Sequence, residues 1–321
     1  MSAPLVSVLV TAYNAEPWLA ETLASVEAQA YPDIEVIVVD DGSTDRTLAV
    51  ARSFEGPRVK VVTQANAGAC TARNRALSEA QGDLVQYLDA DDLLAPTKIA
   101  RQVDRLRSEP EGTVASGPWV RFRETPGDMG QAGEPGWEDY EPAVRFLIQS
   151  WDVGGGMMPN FGWLAPRPLI DAVGPWDERL RKNQDGEFFA RVLARATRVA
   201  FCPDAWGYYR SGITTSLSAR RGAGVAQSLF AAAEGSTRAV LEHHNSPEAR
   251  RACASLWRRV AFETYPVAPE VGRRADAQAG ALGGSDVEPG GGRAFRLVRD
   301  VAGWKAAVRL QHAWYQIRYG R

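Results

Sequence analysis

The 321-residue chain is short of several things, and each shortage excludes something. It has only three cysteines, and Cys70, Cys202 and Cys253 stand far apart without CxxC or Cys/His spacing. Neither a disulfide framework nor a zinc site is encoded, and a reducing cytoplasm fits best. No apolar run approaches the roughly 18–20 residues that a membrane span requires, and Leu5–Val10 is cut short by Thr11 and Asn14 before it could serve as a secretory leader. There is no excess of one charge: 37 Lys and Arg face 39 Asp and Glu, a net of −2, so no global basic field draws the chain to nucleic acid. What is present is ordinary, 45% hydrophobic and 24% charged, which excludes collagen-like, coiled-coil and wholly disordered chains. The length suits one large domain or two modest ones.

Along the first half, short β-branched runs alternate with helix-like stretches, the pattern of βαβ units around a mostly parallel sheet. Strands are expected at Leu5–Thr11, Ile34–Asp40, Val59–Thr63 and Asp83–Leu88. Helices are expected at Pro17–Ala30 and Ala69–Ala80. Further helices are read at Tyr140–Trp151, Gln184–Ala196, Gln227–His244 and Glu248–Thr264. Glu124–Glu141 and Gly154-Gly155-Gly156 read as flexible points. Residues 266–292, with Gly283-Gly284 and Gly290-Gly291-Gly292, read as a linker.

Ligands of open α/β sheets bind at the carboxyl ends of the strands. Here those ends carry Thr11-Ala12-Tyr13-Asn14, then Asp40-Asp41-Gly42-Ser43-Thr44-Asp45, then Asp89-Ala90-Asp91-Asp92. Three carboxylates at the end of an apolar strand repel one another unless a cation compensates, and hard cations such as Mg²⁺ or Mn²⁺ take oxygen ligands and keep substrate phosphates in their shell. Helix capping by Asp91 or Asp92 is the structural alternative. The Asp40–Asp45 turn offers acceptors to the N–H of a nucleobase or to ribose hydroxyls, or else caps the next helix. Asn66-Ala67-Gly68 opens a helix with small residues, and Arg73 stands about one turn in, placed to pair with a carboxylate or a phosphate. Asp185 lies near the start of the helix carrying Phe188 and Phe189, where a carboxylate is held by the helix dipole and can act as a general base.

Together these segments, with Trp176-Asp177-Glu178 and Gln184-Asp185, resemble the family 2 inverting glycosyltransferases, whose motifs recur here in order across about residues 4–218. The resemblance implies an α/β chain with the GT-A fold, a Rossmann-like, mostly parallel central sheet flanked by helices; the helical C-terminal extension that follows is read from the residue pattern and lies beyond the resemblance. The resemblance implies a GT-A domain over 1–218, divided into a nucleotide-binding half (1–120) and an acceptor-side half (121–218). A helical extension (219–265), the flexible linker (266–292) and a basic C-terminal helix (293–321) follow. It further implies that Thr11, Ala12 and Tyr13 frame the nucleobase, Asp41 accepts from its N–H, and Arg73 supports the phosphate and metal region. Asn14, Asn66 and Ala90 join the nucleotide-binding set. Asp91 becomes the direct ligand of Mn²⁺ or Mg²⁺, Asp89 the ribose or water-mediated partner, and Asp185 the base. The partners implied are a nucleotide-sugar donor, with UDP favoured, and a carbohydrate, lipid-linked or other hydroxyl acceptor in glycoconjugate synthesis.

Two departures from the family pattern stand out. Gln184 occupies a position where the family often has Glu, and Tyr208–Ser216, which resembles the segment closing over the diphosphate, has Gly212 where many relatives have a His. Arg210 and a nearby hydroxyl are assigned that work. These departures motivate a second reading, a catalytically silent sugar-nucleotide-binding or scaffold protein. A third, a sugar nucleotidyltransferase, requires a Gly-rich basic loop after the first strand, and Ala12–Glu16 is neither. Trp137, Trp151, Trp163, Trp176 and Trp206 lie on the expected acceptor side, where aromatic faces can stack on sugars, although for any single Trp core packing is the commoner role. The tail 293–321 carries +6, leaving −8 for the rest. Its Leu297, Val301, Trp304, Val308 and Tyr315 fall on one helical stripe, which leaves open peripheral contact at the inner face of a membrane, docking on the catalytic domain, or a homodimer.

Overall fold

A computed structural model describes residues 3–129, 136–153, 158–213 and 222–319. The Gly154–Gly156 point and residues Thr214–Ser216 lie outside the described residues. The chain divides into two compact units, the first made of 1–146, 155–178 and 191–214, the second of 147–154, 179–190 and 215–321. The expected boundary at 218 is therefore too simple. Segment 179–190 belongs with the C-terminal helices, and one cause is local: the Ser228 hydroxyl accepts from the Arg181 and Lys182 amides at 2.7 and 2.9 Å.

In the first unit the elements alternate as β1 (Val6–Ala12), α1 (Leu19–Glu27), β2 (Ile34–Asp40), α2 (Thr47–Ser53), β3 (Val59–Thr63), α3 (Ala69–Glu79), β4 (Leu84–Asp89), β5 (Leu93–Leu94), α4 (Lys98–Leu106), β6 (Val114–Ser116) and β7 (Trp119–Phe122). Then come α5 (Val144–Val153), most of which belongs to the second unit, β8 (Ala165–Pro166), α6 (Arg167–Val173), α7 (Gln184–Arg195), whose first half belongs to the second unit, β9 (Val199–Phe201) and β10 (Gly207–Arg210). The five-stranded sheet runs β3-β2-β1-β4-β8, parallel except for β8. Its central strands are apolar on both faces because helices cover both. Val6, Val8 and Val10 meet Leu19, Leu23, Val36, Val38 and Val103 in one core, each fully buried side chain contributing about 1.5–3 kcal/mol. Strand order turns back at β1, flanked by β2 and β4, which makes the carboxyl ends of these strands a topological switch point.

The second unit is built on α8 (Ala223–His243), α9 (Pro247–Thr264), α10 (Pro269–Ala281) and α11 (Arg293–Tyr319). Ser246 caps α9, accepting from the Ala249 amide at 3.2 Å, with Pro247 in the first turn. Phe230, Trp257, Val271, Ala275 and Ala279 fill the core. The linker expectation for 266–292 is corrected by α10, whose small residues seat it closely: a β-carbon at Gly272 would stand 2.6 Å from Tyr265 Cα. The single apolar stripe expected along the tail is also corrected, because Gly303 leaves helical geometry at φ +81° and splits α11 into two segments with different inward faces.

Candidate active site

Sheet register brings the acidic motifs to one edge. Thr11 pairs with Val39 of β2 and with Asp89 of β4, and Ala12 pairs with Asp40. The loops leaving these strands are tied together by side chains. Asn14, at φ +50°, accepts from the Thr44 amide at 2.9 Å and donates its own amide to Ser43 Oγ at 3.0 Å. The Ala15 amide donates to Thr47 Oγ1 at 2.7 Å, and the Arg46 amide to Glu16 at 3.0 Å. Asn14, assigned to the nucleotide, thus spends its side chain on the neighbouring loop. Tyr13 beside it is 48% exposed, its ring open to a stacking partner.

Asp41 is buried. Its carboxylate accepts from Gln64 Nε2 and from the Ala67 and Gly68 amides at 2.8–2.9 Å. Three of about four acceptor positions are filled, so the primary job its geometry shows is to pin the loop before α3, which contains the exposed Asn66. Gly42 makes this approach possible: it sits at φ +71°, and a β-carbon there would stand 2.7 Å from the Asn66 nitrogen.

Arg73 and Asp89 form the centre. Arg73 is buried, its guanidinium lies 4.5 Å over the Trp176 ring, and it donates to Asp89 Oδ1 at 2.8 Å. Asn74 binds the Trp176 backbone on both sides, at 3.0 and 2.8 Å, and reaches Glu178 at 2.9 Å, joining the third and fifth motifs. Asn160 donates to both Asp89 oxygens at 3.1 and 3.2 Å. This residue escapes sequence reading, since it sits in a short 3-10 turn 71 positions away with no motif around it. The Ala90 carbonyl accepts from Thr22 Oγ1 at 2.9 Å, fastening the acidic turn to α1.

Asp92 is buried and accepts from the Arg210 amide at 2.8 Å; burial and the neighbouring Asp91 and Asp89 push its carboxyl well above the usual range. Burial, then Asp89, push Asp91 up to about 7. The Arg210 guanidinium, assigned to the diphosphate, is engaged within the protein. It stacks on Phe122 at 4.3 Å and donates to the Asp91 carbonyl, the Arg123 carbonyl and Glu21 at 2.9, 3.0 and 2.5 Å, bracing the acidic turn from behind. Burial and the three aspartates raise the Tyr209 hydroxyl to about 12.

The donor set fits a divalent cation in one respect and limits it in another. Asp91 is a hard oxygen donor whose negative form is disfavoured by burial and by Asp89, so a cation there relieves a real electrostatic cost. Among the described residues no group of three or more His, Cys, Asp or Glu could hold a metal. Remaining ligands would come from phosphate oxygens and water.

In the second unit Asp185 opens α7, partly buried, with Oδ1 accepting from the Gly186 amide at 3.0 Å. Gln184 turns inward, buried, and its amide donates to the Leu180 carbonyl at 2.9 Å. Its departure from the family pattern is thus a helix brace: a carboxylate there would face a carbonyl oxygen. Trp163 and Trp176 are core residues, and Trp137 and Trp206 lie edge to face with ring centroids 5.6 Å apart.

This arrangement is a GT-A fold, with its acidic residues gathered at the carboxyl ends of the strands. Residues 7–164, just under half of the chain, match the sequence profile of Glycosyl transferase family 2. An uncharacterized glycosyltransferase of Haemophilus influenzae is 39% identical over 107 residues, 32% of this chain and 43% of the relative. The chain spans less than half the length of the first curated relatives it matches. Among solved structures, S. aureus TarS 1-349 in complex with UDP-GlcNAc superposes with a TM-score of 0.59 at 20% identity, covering 87% of this chain and 90% of TarS. The mannosyltransferase PcManGT from Pyrobaculum calidifontis, in complex with GDP-Man and Mn2+, gives 0.54 at 18% identity, covering 98% of this chain and 88% of PcManGT.

Proposed function

We propose that this protein is a metal-dependent inverting glycosyltransferase that moves a sugar from a nucleotide diphosphate, a UDP-sugar by preference, to a hydroxyl acceptor. The observation that carries the reading is the register that sets Thr11 beside Asp89 at the switch point, with the Asp41 loop alongside. Tyr13 stacks on the base and the remaining acceptor capacity of Asp41 takes its N–H. Asp91, with Asp89 behind it, would hold Mn²⁺ or Mg²⁺. The ion, when bound, supplies positive charge to the leaving diphosphate. Arg73 and Asn160 hold Asp89 in one orientation, so no reorganisation is needed when charge develops.

Chemically the step is one displacement. The acceptor oxygen forms a bond to the anomeric carbon from the face opposite the diphosphate, whose C–O bond breaks with the electron pair leaving on phosphate oxygen. The acceptor proton passes to the Asp185 carboxylate, the role the family resemblance assigns to it. No covalent enzyme intermediate forms. Gln184, one motive for reading a silent binder, has a structural role of its own in its bond to Leu180.

Calorimetry with UDP, GDP and dTDP, with and without Mn²⁺, tests the donor half. The expected result is binding that needs metal and is tightest for UDP; negligible heats in every case would sink the reading. Slow sugar-nucleotide hydrolysis tests the chemical half, with a loss of about 10²–10⁴-fold expected for Asp185→Asn. Equal rates would leave a binding protein in place of an enzyme.

A further inference from the structure

The second half of α11 turns one apolar face inward and leaves another uncovered. After the break at Gly303, Ala307 and Val308 are buried with Tyr265 and Phe295, and Trp304 lies against Phe262 and Tyr265 at 5.0 and 5.3 Å between ring centroids. Leu310, Trp314 and Ile317, spaced as neighbours on one helical face, are 58%, 48% and 87% exposed. Before the break, Leu297 and Val301 are 67% and 81% exposed. Among the described residues only Tyr13, Met129 and Tyr315 join them as large exposed apolar side chains, so six of these eight belong to this one helix.

Arg309 and Arg318 border the Leu310 stripe, and the Arg318 guanidinium lies 5.1 Å over the Trp314 ring. Residues 293–321 carry +6 while the rest of the chain carries −8. Among the described residues no helix is long and apolar enough to cross a membrane.

We propose that α11 lies on an anionic lipid surface, with Leu310, Trp314 and Ile317 in the headgroup boundary and its arginines among the lipid phosphates. Apolar and amphipathic side chains flanked by Arg are what such a surface binds. A second copy of this chain fits less well, because an isologous contact through the Leu310 stripe would bring the arginines beside it, Arg318 among them, against their own copies. The acidic remainder is repelled by the same lipids, which restricts docking to this helix. This inference does not depend on the sugar-transfer reading.

Co-sedimentation of the full chain with phosphatidylcholine vesicles, with or without about 30% phosphatidylserine, tests it at low and high salt. Binding is expected to be about tenfold or more tighter with phosphatidylserine and to fall by as much at about 500 mM salt. The triple variant L310S/W314S/I317S is expected to lose about tenfold or more while its circular dichroism and melting temperature stay unchanged. Where the triple variant does not fold, R309Q/R318Q is the second probe, expected to weaken binding and flatten its salt dependence. Equal binding to both vesicle types, binding unmoved by these variants, or a dimer in solution that the triple variant dissociates would each overturn the proposal.

Discussion

Lys98 offers a quantitative test of the packing of the first unit. It is fully buried at the start of α4, and its Nζ donates to Gln86 Oε1 at 2.8 Å and Gln102 Oε1 at 2.7 Å. Both glutamines pass their amides on to backbone carbonyls, Gln86 to Tyr87 and Phe161 and Gln102 to Gly162. Two donors are all that a neutral amine has, and desolvation lowers this lysine to about 7. Unfolded lysine titrates near 10.4, so between these values the unfolded chain carries one more proton than the folded one. Stability from this residue therefore rises with pH, by about 1.4 kcal/mol per unit and about 4–5 kcal/mol across the window, and is flat below it. Lys98→Met removes the charge while leaving two glutamine oxygens without a donor, a constant cost of about 1–3 kcal/mol each. Urea unfolding followed by tryptophan fluorescence from pH 6 to 10 reads both chains, and the wild type minus variant difference is expected to climb across the window. Parallel curves would refute the reasoning, since they would mean that Lys98 is equally charged in both states.

Two other substitutions probe the site. Gly42→Ala places a β-carbon against the Asn66 backbone at positive φ and is expected to cost about 2–3 kcal/mol in urea unfolding; a change below about 1 kcal/mol would show that the loop yields easily. Asn160→Ala removes two charge-assisted bonds to Asp89 and is expected to weaken nucleotide binding in the presence of Mn²⁺ by about ten- to a hundredfold, from about 1.5–3 kcal/mol per such bond. An unchanged affinity in calorimetry would mean that Arg73 alone orients Asp89.

How much of this was legible follows from range. β2 and β3 lie where the sequence puts them, at Ile34–Asp40 and Val59–Thr63: β2, buried along almost its whole length, is a β-branched run closed by acids, and β3, at the sheet edge, is a shorter β-branched run interrupted by the exposed Lys60. The acidic strand ends were visible for the same reason. Partnership across the fold was not: Asn160 reaches Asp89, and Arg210 reaches Glu21 over 189 positions, by topology alone. Composition misled at α10, where Gly272, Ala275 and Ala279 imitate a linker but are small because another helix passes close by. Periodicity misled along the tail, since a helical wheel assumes an unbroken helix and Gly303 breaks it.

The tie between Asn14 and the Ser43-Thr44 turn has a consequence for how this family can change. Because each loop supplies hydrogen bonds to the other, the ordering entropy of both, about 1–2 kcal/mol per residue, is met during folding instead of when a ligand binds. The cradle is cast before its ligand arrives. A substitution at Thr44 would be felt around Tyr13, and the shape of the cradle would then change through paired substitutions in the two loops more readily than through one in either.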